Sequence, residues 1–162
     1  MRDSNRARVY DAERIVHRLI DRSADARTVQ LAGTTLTVPA DARFADVESV
    51  RRYIDDVLAL RAVRDRFSRS VVAVTVRRRR GSSAAHYEPT QRVIAVPDSR
   101  DGAWALRELV VLHELAHHLD PSDDGPVHGS SFVETLIDLV GLVVGPEVGF
   151  VYRVVFTQSG VC

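Results

Sequence analysis

Apolar residues recur at helical spacing in five stretches of the chain, with polar or charged residues between them. The five stretches predict helices over residues 3–22, 46–66, 103–119, 132–144 and 146–155, although the valines at 151, 154 and 155 leave a strand possible in the last of them. Asp3 or Ser4 is placed to cap the first helix, and Asp46 opens the second. The third stretch is apolar nearly all round, which is typical of a buried central helix.

Three other stretches predict strands, because they contain alternating or β-branched residues. They are residues 28–38, 70–76 and 84–96. A turn at Ala32-Gly33 would make the first stretch a short hairpin, and the second is the clearest strand of the three. The third reads as a hairpin whose turn lies at residues 88–91.

Length and composition are those of one globular domain. The chain has 162 residues, of which 45% are hydrophobic and 27% charged, and this is enough to bury a core. No internal repeat or low-complexity linker interrupts it, so we predict a single domain over residues 1–162. Its predicted parts are N-terminal helices at 3–22 and 46–66, a core at about 70–145 and a C-terminal segment at 146–162.

Charge and cysteine content narrow the classes of function. The formal net charge is zero, so the field of the whole protein favours neither nucleic acid nor membrane. A lone cysteine, Cys162, cannot form an internal disulfide and excludes a zinc site built on thiolates. The first residues are charged, and the longest apolar run, 139–144, is too short to cross a bilayer. We therefore expect a cytoplasmic protein with no membrane partner.

The strongest chemical signal lies near the end of the third helix. His113, Glu114 and His117 form an H-E-x-x-H pattern there. Residues four apart share one helix face, so the two imidazoles can bind one ion. Glu114 lies about 100° further round the helix, where its carboxylate can act on a water without binding the metal. The pattern predicts a zinc site with Glu114 as the general base.

The third zinc ligand has three candidates. His128 is the first choice, because it starts the next helix and completes three neutral imidazoles with one open position. Asp123 lies at the spacing of the third metzincin ligand, but Asp120 replaces the required Gly and no Met-turn is possible. Glu134 lies on the following helix, as in gluzincins, although a capping box from Ser131 to Glu134 explains it without a metal.

Two further polar residues lie close to the motif. His118 is rotated away from the ligand face, and we expect it to support the site or to lie at the surface. Asp138 belongs to a narrow polar stripe on the following helix. Two interpretations are open. Either the Asp138 carboxylate accepts a hydrogen bond from the ring N–H of a ligand histidine, on the nitrogen that does not bind the metal, or the stripe faces solvent.

The motif and a second short pattern after it resemble a known family. His113-Glu114-Leu115-Ala116-His117, together with His128-Gly129-Ser130-Ser131-Phe132, is similar to the H-E-L-x-H … H-G-x-x-F pattern of SprT-like zincin metallopeptidases. Small actinobacterial metallohydrolases with the same motif resemble it more closely. The resemblance covers about residues 70–145 and includes the strand-like stretch ending at 94–97.

The resemblance implies an α+β, zincin-like fold in which a small, mostly antiparallel sheet packs on the buried motif helix. It also implies one Zn²⁺ held by His113, His117 and His128, with Glu114 as base, and a peptide or protein substrate. The chain lacks the cysteines of a C-terminal zinc ribbon, which longer SprT-like proteins use, and this weakens the link to DNA.

The predicted reaction needs two more features. A substrate strand needs an edge strand of the sheet, and residues 92–96 are our candidate for it. A side chain must also stabilise the oxyanion, and the sequence does not choose among four candidates. They are Tyr87, Tyr152, Arg153 and His86.

Two other functions remain open on sequence grounds. In the first, zinc only stabilises a binding or regulatory module, and a fourth protein ligand such as Asp123 or His118 closes the site. In the second, the four consecutive arginines at 77–80 lie in a turn and contact nucleic acid. A solvated loop is the simpler interpretation of that run, because it is short, contains no aromatic residue and belongs to a chain of zero net charge.

Overall fold

A computed structural model of the protein describes residues 3–81, 84–97 and 105–161. The described residues form six α-helices and two small β-sheets, which confirms the α+β class. They group into two compact units, one comprising residues up to Asp41 and from Ser122 onward, the other residues 42–121. The prediction of a single domain stays a prediction.

The elements are, in chain order, α1 (Arg6–Arg22), β1 (Thr28–Leu31), β2 (Thr34–Thr37), α2 (Val47–Ala59), α3 (Arg61–Arg66), a short 3-10 helix (Ser68–Val71), β3 (Thr75–Arg79), β4 (His86–Glu88), β5 (Val93–Pro97), α4 (Glu108–Leu119), α5 (Ser130–Val143) and α6 (Pro146–Gln158). No described helix combines the length and the apolar character needed to span a membrane.

The first unit contains α1, the β1–β2 hairpin, α5 and α6. The apolar stripe of α1 is buried and the helix packs on α6, as the helical spacing predicts. The hairpin is confirmed, with Ala32 at φ 50° and Gly33 at φ 76° in a two-residue turn. α5 and α6 approach most closely at Gly141 and Gly149, where a Cβ on Gly149 would lie 2.8 Å from the Cα of Gly141.

In the second unit, the predicted helix over 46–66 is wrong as a single element. Asp46 does open α2, and its carboxylate accepts a hydrogen bond of 2.8 Å from the backbone N–H of Ser49. The helix ends because Leu60 adopts extended backbone, with φ −60° and ψ 130°, and α3 then begins at Arg61. Hydrophobic spacing continues across this break, so the periodicity of the sequence does not reveal it.

The three-stranded sheet of the second unit has the order β3-β5-β4. β3 runs parallel to β5 and β4 runs antiparallel to it, so this sheet is mixed. The hairpin over 84–96 is confirmed, but the candidate edge at 92–96 is wrong, because β5 is the central strand. All five residues of β5 are buried, and an unbroken apolar run is typical of a strand covered on both faces.

The predicted strand over 70–76 is also wrong. Its first residues form part of the 3-10 helix, and the strand begins only at Thr75. Arginines 77–79 therefore lie in β3 and not in a turn. Parallel pairing with the buried β5 sets this register, because Val76 is then placed beside Ile94, and both side chains are buried.

The helix that carries the motif, α4, begins at Glu108, later than the predicted 103. Arg107 is extended, with φ −108° and ψ 137°, and pairs with Arg43 in an isolated β-bridge. Residues 103 and 104 lie outside the described residues. All but two residues of α4 are buried, in agreement with its apolar sequence.

Candidate metal centre

Hydrogen bonds hold both ends of α4 within the second unit. At the N-terminal end, the Glu108 carboxylate accepts a 2.8 Å bond from the backbone N–H of Ala42 and another from the Tyr53 hydroxyl. At the C-terminal end, the carbonyl oxygen of Asp120 accepts a 2.7 Å bond from the guanidinium of Arg69. The helix is anchored at its two ends, so the side chains of the motif are carried on a fixed backbone.

His113 and His117 present the same ring atom to each other. Their Nε2 atoms are 3.2 Å apart, and their ring centroids are 4.9 Å apart. Zn–N bonds of about 2.0–2.1 Å in a tetrahedral site place two ligand nitrogens about 3.3–3.4 Å apart. Two Nε2 atoms at this distance need a shared proton or a cation between them, because two lone pairs would repel each other. The pair therefore has the spacing of two zinc ligands.

A third imidazole completes a cluster with these two. The ligand atoms of His113, His117 and His128 all lie within 4.8 Å of one another. His113 and His128 are buried and His117 is half-buried. Neither Asp123 nor Glu134 belongs to this cluster. The three histidines can hold a metal ion, and three imidazoles suit zinc among other first-row metals.

His128 is held by residues of its own unit. It lies just before α5, and its Nδ1 is 2.5 Å from a carboxylate oxygen of Asp3. Its ring contacts those of Tyr10 and Phe132, with centroids 5.5 Å and 5.1 Å away. Sequence reasoning missed Asp3 in this role and assigned it to helix capping. The N-cap of α1 is in fact Asn5, which makes no side-chain capping bond.

The other two candidates for the third zinc ligand, Asp123 and Glu134, lie outside the histidine cluster. Asp123 is exposed in the loop after α4. Glu134 forms a two-point ion pair with the Arg153 guanidinium, at 3.2 Å for each oxygen. The predicted capping box is wrong, because α5 begins at Ser130 with Gly129 as its N-cap and no side-chain capping bond. Glu134 is thus explained without a metal, but by a partner on α6.

Asp138 lies on the same helix as Glu134, one turn later. One of its carboxylate oxygens is 3.8 Å from the Arg153 guanidinium, and its side chain is only partly exposed. A carboxylate of another segment, that of Asp3, contacts a histidine of the cluster.

Glu114, the predicted base, is buried on α4, with 4% of its surface exposed. Burial in a helix that is apolar nearly all round is costly for a carboxylate, so this position is not explained by packing alone. Glu114 directly follows His113, so α4 carries a buried carboxylate next in sequence to a histidine of the cluster.

His118 lies on a different face of α4, and the expectation of a surface position is wrong. It is fully buried, and its Nε2–H donates to the carbonyl oxygen of Val72 at 3.0 Å. Its Nδ1 then accepts the hydroxyl proton of Tyr87 at 3.1 Å. Burial lowers the pKa of His118 and raises the pKa of Tyr87. Both groups are therefore neutral near pH 7, and they tie α4 to β4 and to the segment before β3.

Of the four candidates for oxyanion stabilisation, three form hydrogen bonds with other side chains and the fourth is fully buried. Tyr87 donates to His118, and Arg153 pairs with Glu134. His86 donates to the Glu88 carboxylate through Nε2, at 2.8 Å. Tyr152 is fully buried in α6. The structure therefore leaves this role without an assigned residue.

Two arginines of the run at 77–80 contact groups of the sheet. Arg77 pairs with Glu88, and Arg79 donates to the carbonyl of Ala84 at 2.6 Å and to Nδ1 of His86 at 2.9 Å. The hydrogen bond from His86, and then that from Arg77, lowers the pKa of Glu88. These contacts within the sheet account for part of the run without a nucleic-acid partner.

Comparisons of the chain with protein-family models, with curated proteins and with solved structures found no match. The resemblance to SprT-like zincins therefore stays a prediction from the motif. The case for a function depends on the geometry of the site itself.

Proposed function

We propose that this protein is a zinc-dependent hydrolase, and specifically a metallopeptidase of the SprT-like minimal zincin type. The observation that supports this most is the 3.2 Å separation of the His113 and His117 Nε2 atoms beside a third imidazole, that of His128. Burying polar side chains in a largely apolar helix costs free energy unless they have partners, and a bound cation would be such a partner for these imidazoles.

In this proposal His113, His117 and His128 would hold one Zn²⁺. When bound, the ion lowers the pKa of a water toward about 7 and polarises the carbonyl to be cleaved. Glu114 would take up at its carboxylate the proton that the attacking water gives up, and would return it to the leaving amine.

The strand that would receive a peptide substrate is β4. Because β5 is central, the described edges of the sheet are β3 and β4. Tyr87 on β4 is hydrogen-bonded to His118 on α4, one residue after a proposed ligand. An extended peptide paired with this edge would therefore run close to the motif helix.

The test combines metal content with hydrolysis. We expect wild-type protein to retain about one zinc per chain after gel filtration and to cleave an unstructured protein or a fluorogenic peptide pool. Glu114→Gln should retain the zinc and lose activity by a factor of about 10²–10⁴, the contribution of a general base. Glu48→Gln is the matched control, since Glu48 is an exposed helical glutamate paired with Arg51.

Three results would contradict the proposal. Wild-type protein without stoichiometric zinc would remove the metal site. Zinc retained without hydrolysis of any substrate in the pool would favour the zinc-stabilised binding module. Substantial hydrolysis by zinc-loaded Glu114→Gln would remove the assigned base.

A further inference from the structure

The contact between Asp3 and His128 links residues 125 positions apart. Oδ2 of Asp3 is 2.5 Å from Nδ1 of His128, and the two side chains are 19% and 5% exposed. The two residues belong to the same compact unit, as do the ring neighbours Tyr10 and Phe132. The N-terminal segment before α1 therefore contributes directly to the environment of a proposed ligand.

The chemistry of the contact determines which nitrogen of His128 carries the proton. An ionised carboxylate only accepts hydrogen bonds, so Nδ1 must be the donor. A neutral imidazole has one N–H, so its Nε2 is left with a lone pair. Nε2 is also the atom that His113 and His117 present to each other. Asp3 thus selects for His128 the same ligand atom that the other two histidines offer.

The orientation of the ring is restricted as well. Tyr10 and Phe132 contact the His128 ring at tilts of 55° and 79°, so aromatic rings border it in addition to the carboxylate. A ring flip that placed Nδ1 at the metal would break the bond to Asp3 and leave its half-buried carboxylate without this N–H donor. Such a loss is costly for a charged group.

From these observations we infer that Asp3 is a positioning residue for the metal centre, which holds His128 in the Nε2-ligating tautomer and orientation. This inference rests on the proposed zinc site. It adds that zinc affinity depends on a residue at the start of the chain, outside the region of the motif. Carboxylate partners of ligand histidines commonly change metal affinity by about 10–100-fold when they are removed.

The test measures zinc affinity by competition with a chromogenic chelator, for wild type, Asp3→Ala and Asp3→Asn. We expect Asp3→Ala to bind zinc about 10–100-fold more weakly than wild type, and Asp3→Asn to bind more weakly than wild type. Asp11→Asn is the matched control, since Asp11 is an exposed aspartate on α1 paired with Arg14. We expect its zinc affinity to equal that of wild type.

A second measurement separates positioning from general stability and needs no metal. Long-range ¹H–¹⁵N spectra of the metal-free protein report which nitrogen of each histidine is protonated, and loss of one signal set in His128→Gln identifies His128. We expect a proton on Nδ1 of His128 in wild type and a mixture of tautomers in Asp3→Ala. A purely structural role for Asp3 would lower thermal stability without changing either readout.

The outcomes of the two measurements are distinguishable. A proton on Nε2 of His128 in the metal-free wild type would overturn the inference, whether or not the protein binds zinc. Unchanged zinc affinity in both Asp3 variants would overturn it as well. A third outcome is a wild type that binds no zinc but has the proton on Nδ1 of His128 and loses it in Asp3→Ala. That outcome would overturn both the zinc site and the role of Asp3 in metal binding. The hydrogen bond between Asp3 and His128 would still stand.

Discussion

The close approach of α5 and α6 allows a quantitative prediction about the unit that carries His128. Both helices have a glycine at the contact, and Ala at either position gains about 0.8–1.0 kcal/mol of helix propensity. The two positions differ in space. A Cβ on Gly149 would lie 2.8 Å from the Gly141 Cα and 3.3 Å from its backbone nitrogen, whereas a Cβ on Gly141 would lie 3.7 Å from the Gly149 Cα.

The two distances set the magnitudes. The contact of 2.8 Å is with backbone, which cannot rotate away, so Gly149→Ala must separate the helices at a cost of about 1–3 kcal/mol. The gain in helix propensity offsets part of this cost, so the Gly149→Ala protein should be between equally stable and about 2 kcal/mol less stable than wild type. Gly141→Ala makes an ordinary contact and should be more stable by about 0.5–1 kcal/mol.

The assay is thermal or urea unfolding of both variants beside wild type. The two variants should differ by about 0.5–3 kcal/mol, which corresponds to about 1–12 °C in Tm for a chain of this length. Equal stability of the two variants, or a more stable Gly149→Ala, would show that α5 and α6 do not meet as described.

Two further predictions concern local structure. Ala32 is exposed and has φ 50° in the two-residue hairpin turn, a backbone conformation that Asn tolerates and Val does not. Ala32→Asn should therefore raise the free energy of unfolding by about 0.5–1 kcal/mol, whereas Ala32→Val should lower it. The reverse order in thermal unfolding would exclude this turn. The hydrogen bond from the Ser49 backbone lowers the pKa of Asp46 in the folded protein. The charged cap therefore stabilises α2 at pH values above 3.8, the ordinary pKa of the carboxyl group. This stabilisation is lost as the pH falls through the lower pKa of the folded state. Wild type should therefore lose stability relative to the uncharged cap Asp46→Asn as the pH falls below about 4, and a stability difference independent of pH would contradict the assigned cap.

The sequence was most informative where the contacts are local. His113 and His117 are four residues apart on one helix, so their shared face is a consequence of helical geometry alone. The Ala32-Gly33 hairpin and the Asp46 cap likewise depend on a few neighbouring residues. In each case the interacting groups are brought together by the backbone of one element, whatever the rest of the chain does.

Three of the predictions that failed depend on partners distant in sequence. Residues 70–76 have strand propensity, but pairing with β5 begins only at Thr75. The capping box at Ser131 and Glu134 is a valid local pattern, yet Glu134 pairs with Arg153 on the next helix. β5 reads as a possible edge until the parallel pairing with β3 makes it central.

Local patterns in the chain were thus enough to establish the α+β class, most helices and the pair of histidines on α4. Hydrophobic periodicity and i,i+4 geometry are properties of single elements, and a sequence displays them directly. The order β3-β5-β4 and the placement of Asp3 at His128 came only from the folded chain. A contact across 125 residues leaves no periodic trace, because it arises when burial of apolar surface brings separate elements together and selects the polar groups that can pair there.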